Sequence, residues 1–365
     1  MKPVSDKLRA YFLLTAFMKV NNQHYRSVWI DGTTVHLIEQ NLLPFKFQIY
    51  KAPKYTDTCK AIKTMITRGA GAIGGAAAFA MAQAACEAKS HDYTEFINTA
   101  RKIIEATRPT AYDLFYSVEA VYTAALNSPE AAIKKAQELA DANATAGKAI
   151  GEYGNEILGK NAKVLTHCNA GWLAFVDYGS ALAPVYVANE KGKNVFVYAD
   201  ETRPRSQGAR LTAWELHNQG IPHAIIADNA AASLMQNGKI DVLITGADRI
   251  AANGDVANKI GTLEKAIAAK YYGIPFYVTA PISTIDPNLP EGTKITIEDR
   301  NEDEVHYATG PNANNELQTI RLTNPGSPAI NPAFDVTPAA LVTGIITEKG
   351  IIEPNKKAIS VLLKK

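Results

Sequence analysis

The chain reads as an α/β protein, with a small, mostly helical N-terminal part that carries a short β-hairpin and a larger C-terminal part built on a parallel sheet. Three observations predict this. Beyond Lys163 short apolar runs alternate with helix-length segments; between Thr58 and Tyr153 the sequence is Ala-rich with a helical period; and 365 residues exceed what one ordinary core encloses. The expected division is an extension over 1–26, a helical domain over 27–150 and a sheet-based catalytic domain over 151–365.

Taking the elements in order, Lys2 and Lys7 precede the apolar run Tyr11-Phe12-Leu13-Leu14-Thr15-Ala16-Phe17-Met18, a faint likeness to a secretory signal. Asp6 is out of place for one, and no small-residue cleavage pattern precedes Asn21-Asn22-Gln23-His24, so an amphipathic helix packed on the body is expected. Val28-Trp29-Ile30, a turn at Asp31-Gly32, then Val35 and Leu37 predict a hairpin. Helices are expected over Ala76 to Ala88 and Ala131 to Tyr153, with breaks at Arg108-Pro109 and Ser128-Pro129. Strands are predicted at Val164–Thr166, Val195–Ala199, Ala224–Ala227, Val242–Thr245 and Phe276–Thr279, with helices at 211–218 and 262–271 between them. Short apolar strands separated by helices imply a parallel sheet covered on both faces, and ligands of such sheets bind beyond the carboxyl ends of the strands.

Composition narrows the function. With 38 Lys and Arg against 36 Asp and Glu, no basic field suits nucleic acid, whereas a phosphorylated small molecule remains compatible. Cys59, Cys86 and Cys168 are far apart and form no Cys-x-x-Cys, which points away from a disulfide framework or a zinc site and toward a reducing, cytoplasmic setting. No stretch is long and apolar enough to span a membrane.

Four clusters carry the chemistry, three of them at predicted strand ends. His167-Cys168-Asn169-Ala170-Gly171-Trp172 places a thiol after a strand where a helix is expected to begin, so free backbone N–H groups should lower its pKa. A buried cysteine acting as a small hydrophobe is the bland reading, but the polar neighbours His167 and Asn169 are not what an inert core site requires. Asp200-Glu201-Thr202-Arg203-Pro204-Arg205-Ser206-Gln207-Gly208-Ala209-Arg210 brings three arginines and a glutamine to a helix start, which suits an anion; a solvated loop capped by Asp200 is its alternative. Gly246 through Gly261 holds Asp248 at a strand end, the turn residues Asn253-Gly254-Asp255, and the donors Asn258 and Lys259. Alone, Asp248 would more often be a cap than a catalyst.

The fourth cluster, Arg68-Gly69-Ala70-Gly71-Ala72-Ile73-Gly74-Gly75, contains a Gly-x-Gly-x-x-Gly spacing. Helix, not strand, is expected before it at Cys59 to Thr67, and no acid on a later strand appears at the distance a dinucleotide site needs. A glycine loop opening a helix beside Arg68 can instead hold one phosphate, and Arg108 at another helix start could reach the same anion.

Together the clusters resemble the methylthioribose-1-phosphate isomerase family, itself similar in fold to the regulatory subunits of translation initiation factor 2B. The likeness runs from about Ser27 to about Leu363 and is most specific in Thr166 to Gly171, Gln207 to Leu216 and Gly246 to Gly261, with support from Gly273 to Val278 and Asn331 to Pro338. It implies a Rossmann-like second domain, a homodimer, no cofactor and no metal. It also implies isomerisation of a 5-substituted ribose 1-phosphate to the ribulose 1-phosphate, with a catalytic cysteine at Cys168, a catalytic acid at Asp248, and substrate contacts at Arg68, Gly69, Ala70, Arg108, Gln207, Asn258 and Lys259. Gly71 stands where the family more often has proline, and Arg205-Ser206 where it more often has a bulky apolar residue; an Asn-rich segment at 310–324 looks inserted. The alternatives are a 5-deoxyribose-1-phosphate isomerase, a ribose-1,5-bisphosphate isomerase whose second anion site would fall on Arg205, and a non-catalytic regulatory subunit.

Overall fold

The computed structural model describes residues 18–89, 92–108 and 111–364, so the expected N-terminal helix lies outside the described residues. Met18 is described and is buried, packing with Val20, Ile38 and Leu43 against Trp172 and Leu173. The hairpin forms as β1 (Val28–Asp31) and β2 (Thr34–Ile38), with Asp31 paired to Thr34, which shifts the turn one residue on, to Gly32-Thr33. A third strand, β3 (Ile49–Ala52), pairs antiparallel with β2 and extends the hairpin beyond its expected two strands.

Helices α1 (Tyr55–Lys63), α2 (Ala70–Glu87), α3 (Tyr93–Glu105), α4 (Tyr112–Ala125) and α5 (Pro129–Asn155) come next. Gly71 through Ala85 are all buried, because small side chains let α2 be covered by neighbours on every side. At the start of α5 the Ser128 hydroxyl accepts from Ala131 N at 3.1 Å and Pro129 takes the first helical position, where its missing N–H costs nothing. Its stripe Ala132, Ala136, Ala140, Ala144 faces inward, and the helix runs unbroken to Asn155.

The second part alternates as the sequence indicates: β4 (Lys163–Thr166), α6 (Ala183–Glu190), β5 (Phe196–Asp200), α7 (Ala213–Asn218), β6 (His223–Ile226), α8 (Ala231–Gln236) and β7 (Val242–Thr245). A short ribbon then interrupts, β8 (Arg249–Ala251) and β9 (Val256–Lys259), before α9 (Thr262–Tyr271), β10 (Phe276–Thr279) and β11 (Ile285–Asp286). The chain ends with the hairpin β12 (Tyr307–Pro311) and β13 (Leu317–Arg321), then β14 (Phe334–Thr337), β15 (Gly344–Thr347), β16 (Gly350–Ile352) and α10 (Lys356–Lys364). The Asn-rich segment at 310–324 takes in the tip of the β12–β13 hairpin and the whole of β13, which is exposed along its length.

The main sheet has the order β6-β5-β4-β7-β10-β15-β16, parallel except for the edge strand β16. Strand order reverses between β4 and β7, and this is the switch point at which open α/β sheets bind ligands. Asn258 and Lys259 belong to a second sheet, β11-β8-β9-β14, which stands beyond the carboxyl end of β7. Among the described residues no helix is long and apolar enough to cross a membrane.

Candidate active site

Cys168 leaves β4 in a left-handed backbone conformation, φ +66°, rare for a residue with a side chain. Two threonines hold it there. Its N–H donates to Thr202 Oγ1 at 2.8 Å and its carbonyl accepts from Thr212 Oγ1 at 2.7 Å. No helix starts at the thiol; the next helical residues are a single turn at Trp172–Ala174, so the expected helix-end stabilisation is absent. Burial instead pushes the Cys168 thiol up, with Arg68 and Lys259 pulling it partly back. The expectation of a lowered pKa is therefore overturned, although the side chain keeps some exposure to the cavity.

Asp248, three residues beyond β7, is tied by its N–H to Ala257 O at 2.9 Å. Burial raises its carboxyl above the ordinary range, opposed by Lys259, Arg300, Arg108 and Arg68 in that order. Arg300 is itself paired with Glu298 at 3.2 Å, and the other three cations around one buried acid leave surplus positive charge, which suits an anionic ligand. The Lys259 ammonium donates to Ala333 O at 2.6 Å and lies 4.8 Å from the centre of the Phe334 ring. Desolvation lowers the pKa of Lys259 and of Arg108, and Arg300 beside them adds to both.

These groups share one cavity, of about 860 Å³ counted with its open mouth. All nine residues singled out from the sequence line it: Arg68, Gly69, Ala70, Arg108, Cys168, Gln207, Asp248, Asn258 and Lys259. Gly69 caps α2 at φ +89°, where an added Cβ would come within 2.6 Å of Ala174 backbone and side chain, so only glycine lets the helix end approach this closely. At Gly71 a Cβ would meet the Phe175 ring at 2.4 Å; Phe175 occupies the room a proline would need. Gln207 Oε1 and Arg108 Nη1 are buried without a partner among the described groups, as unfilled ligand positions would be.

Sequence reasoning misses Arg300, Phe334, Met65 and Ser180, which also line the cavity. Phe334 has a signal available only after pairing is known: it lies opposite Lys259 in the β9–β14 register. The three arginines of the second cluster do not converge on an anion. Arg203 donates to the Pro204 and Val305 carbonyls, Arg205 pairs with Glu304 at 3.0 Å and donates to Asn41, and Arg210 donates to the carbonyls of Asn41 and Leu43. They brace loops.

Beneath Cys168, His167 Nδ1 meets Asp200 at 2.8 Å and Nε2 meets Ile260 O at 2.8 Å, joining the end of β4 to the turn after β9. His167, Asp200 and Asp228 come within metal-ligand reach of one another. Lys265 Nζ, however, lies 3.3 Å from Asp200 and donates to the Asp228 carbonyl, so an ammonium already supplies the cation in that corner.

Fold and cavity together define a doubly wound α/β protein with a cationic small-molecule site at its strand switch point. Residues 66–354 match the Initiation factor 2 subunit family. A curated methylthioribose-1-phosphate isomerase of Brucella anthropi is 44% identical over 362 residues, covering 94% of this chain and 99% of the relative. The crystal structure of 5-methylthioribose 1-phosphate isomerase from Pyrococcus horikoshii OT3 superposes with a TM-score of 0.84 at 39% identity, covering 94% of this chain and 96% of that one. A structure described as translation initiation factor eIF-2B, subunit delta, from A. fulgidus gives 0.80 at 37% identity, covering 93% and 100%. The chain belongs to the methylthioribose-1-phosphate isomerase family.

Proposed function

We propose that this chain is an aldose–ketose isomerase that converts 5-methylthioribose 1-phosphate to 5-methylthioribulose 1-phosphate, with Asp248 and Cys168 as its acid–base pair. The observation that carries the reading is that these two side chains, from the strands on either side of the switch point, face one cavity walled by Arg68, Arg108, Lys259 and Arg300. A regulatory scaffold needs neither an acid nor a thiol there.

In the reaction, the bond from C1 to the ring oxygen breaks and that oxygen takes a proton. The hydrogen on C2 moves to C1, and the C2 hydroxyl loses its proton as the carbonyl forms. Asp248, whose raised pKa favours the protonated form, serves the ring oxygen and hydroxyl. Cys168 serves the hydrogen between C2 and C1. The unpartnered Arg108 Nη1, Arg68 and the start of α2 at Gly69 and Ala70 suit the phosphate, while Gln207 Oε1, an acceptor, suits a sugar hydroxyl, with Asn258 and Lys259 also on the sugar.

Two features favour an apolar group at C5. Met65, Ile73, Phe175 and Phe334 give the cavity an apolar wall, and Arg205, which a second phosphate would need, is already matched by Glu304. Turnover of 5-methylthioribose 1-phosphate, 5-deoxyribose 1-phosphate and ribose 1,5-bisphosphate should therefore fall in that order. A higher kcat/KM for the bisphosphate would overturn the choice of substrate.

The same reading gives a cytoplasmic homodimer, in keeping with the free thiols of Cys59, Cys86 and Cys168. Within each chain it gives a helical domain over 27–150 and a Rossmann-like catalytic domain over 151–365 after the extension at 1–26.

A further inference from the structure

We propose that Glu215 is a positioning residue for the anion site, acting through the Asn169 amide to fix the Arg68 guanidinium. The proposal rests on the reading of this cavity as a phosphate site. Glu215, on α7, is fully buried and does not itself line the cavity. A buried carboxylate is costly unless donors surround it, and here Trp172 N donates at 2.9 Å, Leu173 N at 3.2 Å, Asn169 Nδ2 at 2.8 Å, and the Tyr186 hydroxyl completes the set. Room for it exists only because residue 171 is glycine: a Cβ there would lie 1.8 Å from Glu215 Oε2.

Asn169 gives the network its direction. Its Nδ2 faces two groups, Glu215 Oε1 and Thr212 Oγ1, the latter at 3.2 Å. The Thr212 hydroxyl has already committed its hydrogen to Cys168 O, so it can only accept from Asn169. Both neighbours of that amide end are acceptors, which selects one of the two amide orientations. In that orientation the Asn169 carbonyl oxygen points to Arg68 and accepts from Nη2 at 3.1 Å. The opposite orientation would set an NH₂ against a guanidinium, donor against donor. A carboxylate outside the cavity therefore decides how a cavity cation is held, and Thr212 links the same network to the backbone of Cys168.

A glutamine at 215 keeps the shape but sets an NH₂ among the donors that the carboxylate accepts from, which leaves Thr212 Oγ1 to orient the Asn169 amide alone and weakens the selection. The test is a mutant cycle on the full chain, read by calorimetric binding of inorganic phosphate. Glu215→Gln and Arg68→Ala should each weaken phosphate binding about tenfold, and the double variant should be no weaker than Arg68→Ala, since the relay has nothing left to position. Asn169→Leu, made in the same two backgrounds, must show the same pattern and serves if Glu215→Gln does not fold. Additive losses, or a lowered melting temperature with wild-type phosphate affinity, would mean that Glu215 only supports the Trp172–Leu173 turn, and would overturn the proposal. Wild type that binds phosphate without isomerising sugars would count against the proposed reaction and leave the relay standing; wild type that binds no phosphate would remove both.

Discussion

Asp248→Asn is expected to lower kcat about a thousandfold, within the 10²–10⁴ range typical of a positioned general acid, while leaving sugar-phosphate binding intact or tighter. The amide is isosteric but has no proton to give to the ring oxygen. Lys259, Arg300, Arg108 and Arg68 are left in place by the substitution and should hold the phosphate at least as well. The pH dependence sharpens the test. Asp248 must carry its proton to serve the ring oxygen, and burial holds its pKa above the ordinary carboxyl range, so kcat/KM of the wild type should fall as pH rises through the pKa of Asp248. Disappearance of that fall from the residual activity of Asp248→Asn would assign it to Asp248. A variant within tenfold of wild type would remove Asp248 from the chemistry.

Cys168→Ser should cost a comparable two to four orders of magnitude, because a hydroxyl is far less acidic and less polarizable than the thiol it replaces. Folding should survive: the left-handed backbone at 168 is held by Thr202 and Thr212 through main-chain groups, which the substitution does not touch. Reaction of the wild type in heavy water then reports the route. Deuterium at C1 of the ketose requires an exchangeable intermediate and excludes a pure hydride shift from C2. Wild-type turnover by Cys168→Ser would remove the thiol from the chemistry.

Sequence range decides which features are legible in the chain and which are hidden. The strands of the main sheet are short, apolar and bounded by polar turns, so each is visible locally, and the residues at their ends group at the carboxyl edge of a parallel sheet before any contact is known. The second sheet cannot be seen this way. Its strands are two to four residues long, and β9 pairs with β14 from far along the chain, as in Lys259 opposite Phe334. Arg300 and Phe334 reach the cavity only through that pairing. The arginine cluster misleads for a related reason: Arg203, Arg205 and Arg210 look unmatched until Val305, Glu304 and the carbonyls at 41 and 43 arrive from distant segments. At Cys168 the sequence points to a helix end that is not there, yet the thiol still faces Arg68 and Lys259. Side-chain cations take the part expected of backbone dipoles.

The central claim is that one cavity at the β4–β7 switch point holds the sugar between Cys168 and Asp248. A crystal structure with 5-methylthioribulose 1-phosphate bound tests it most directly. The account predicts the phosphate at the start of α2 near Arg68 and Arg108. It also predicts Cys168 Sγ within about 3.5 Å of C1 or C2, the separation of a near-attack geometry, and the Asp248 carboxyl in hydrogen-bond reach of the former ring oxygen. A ketose bound with both side chains beyond contact of C1, C2 and that oxygen would contradict it.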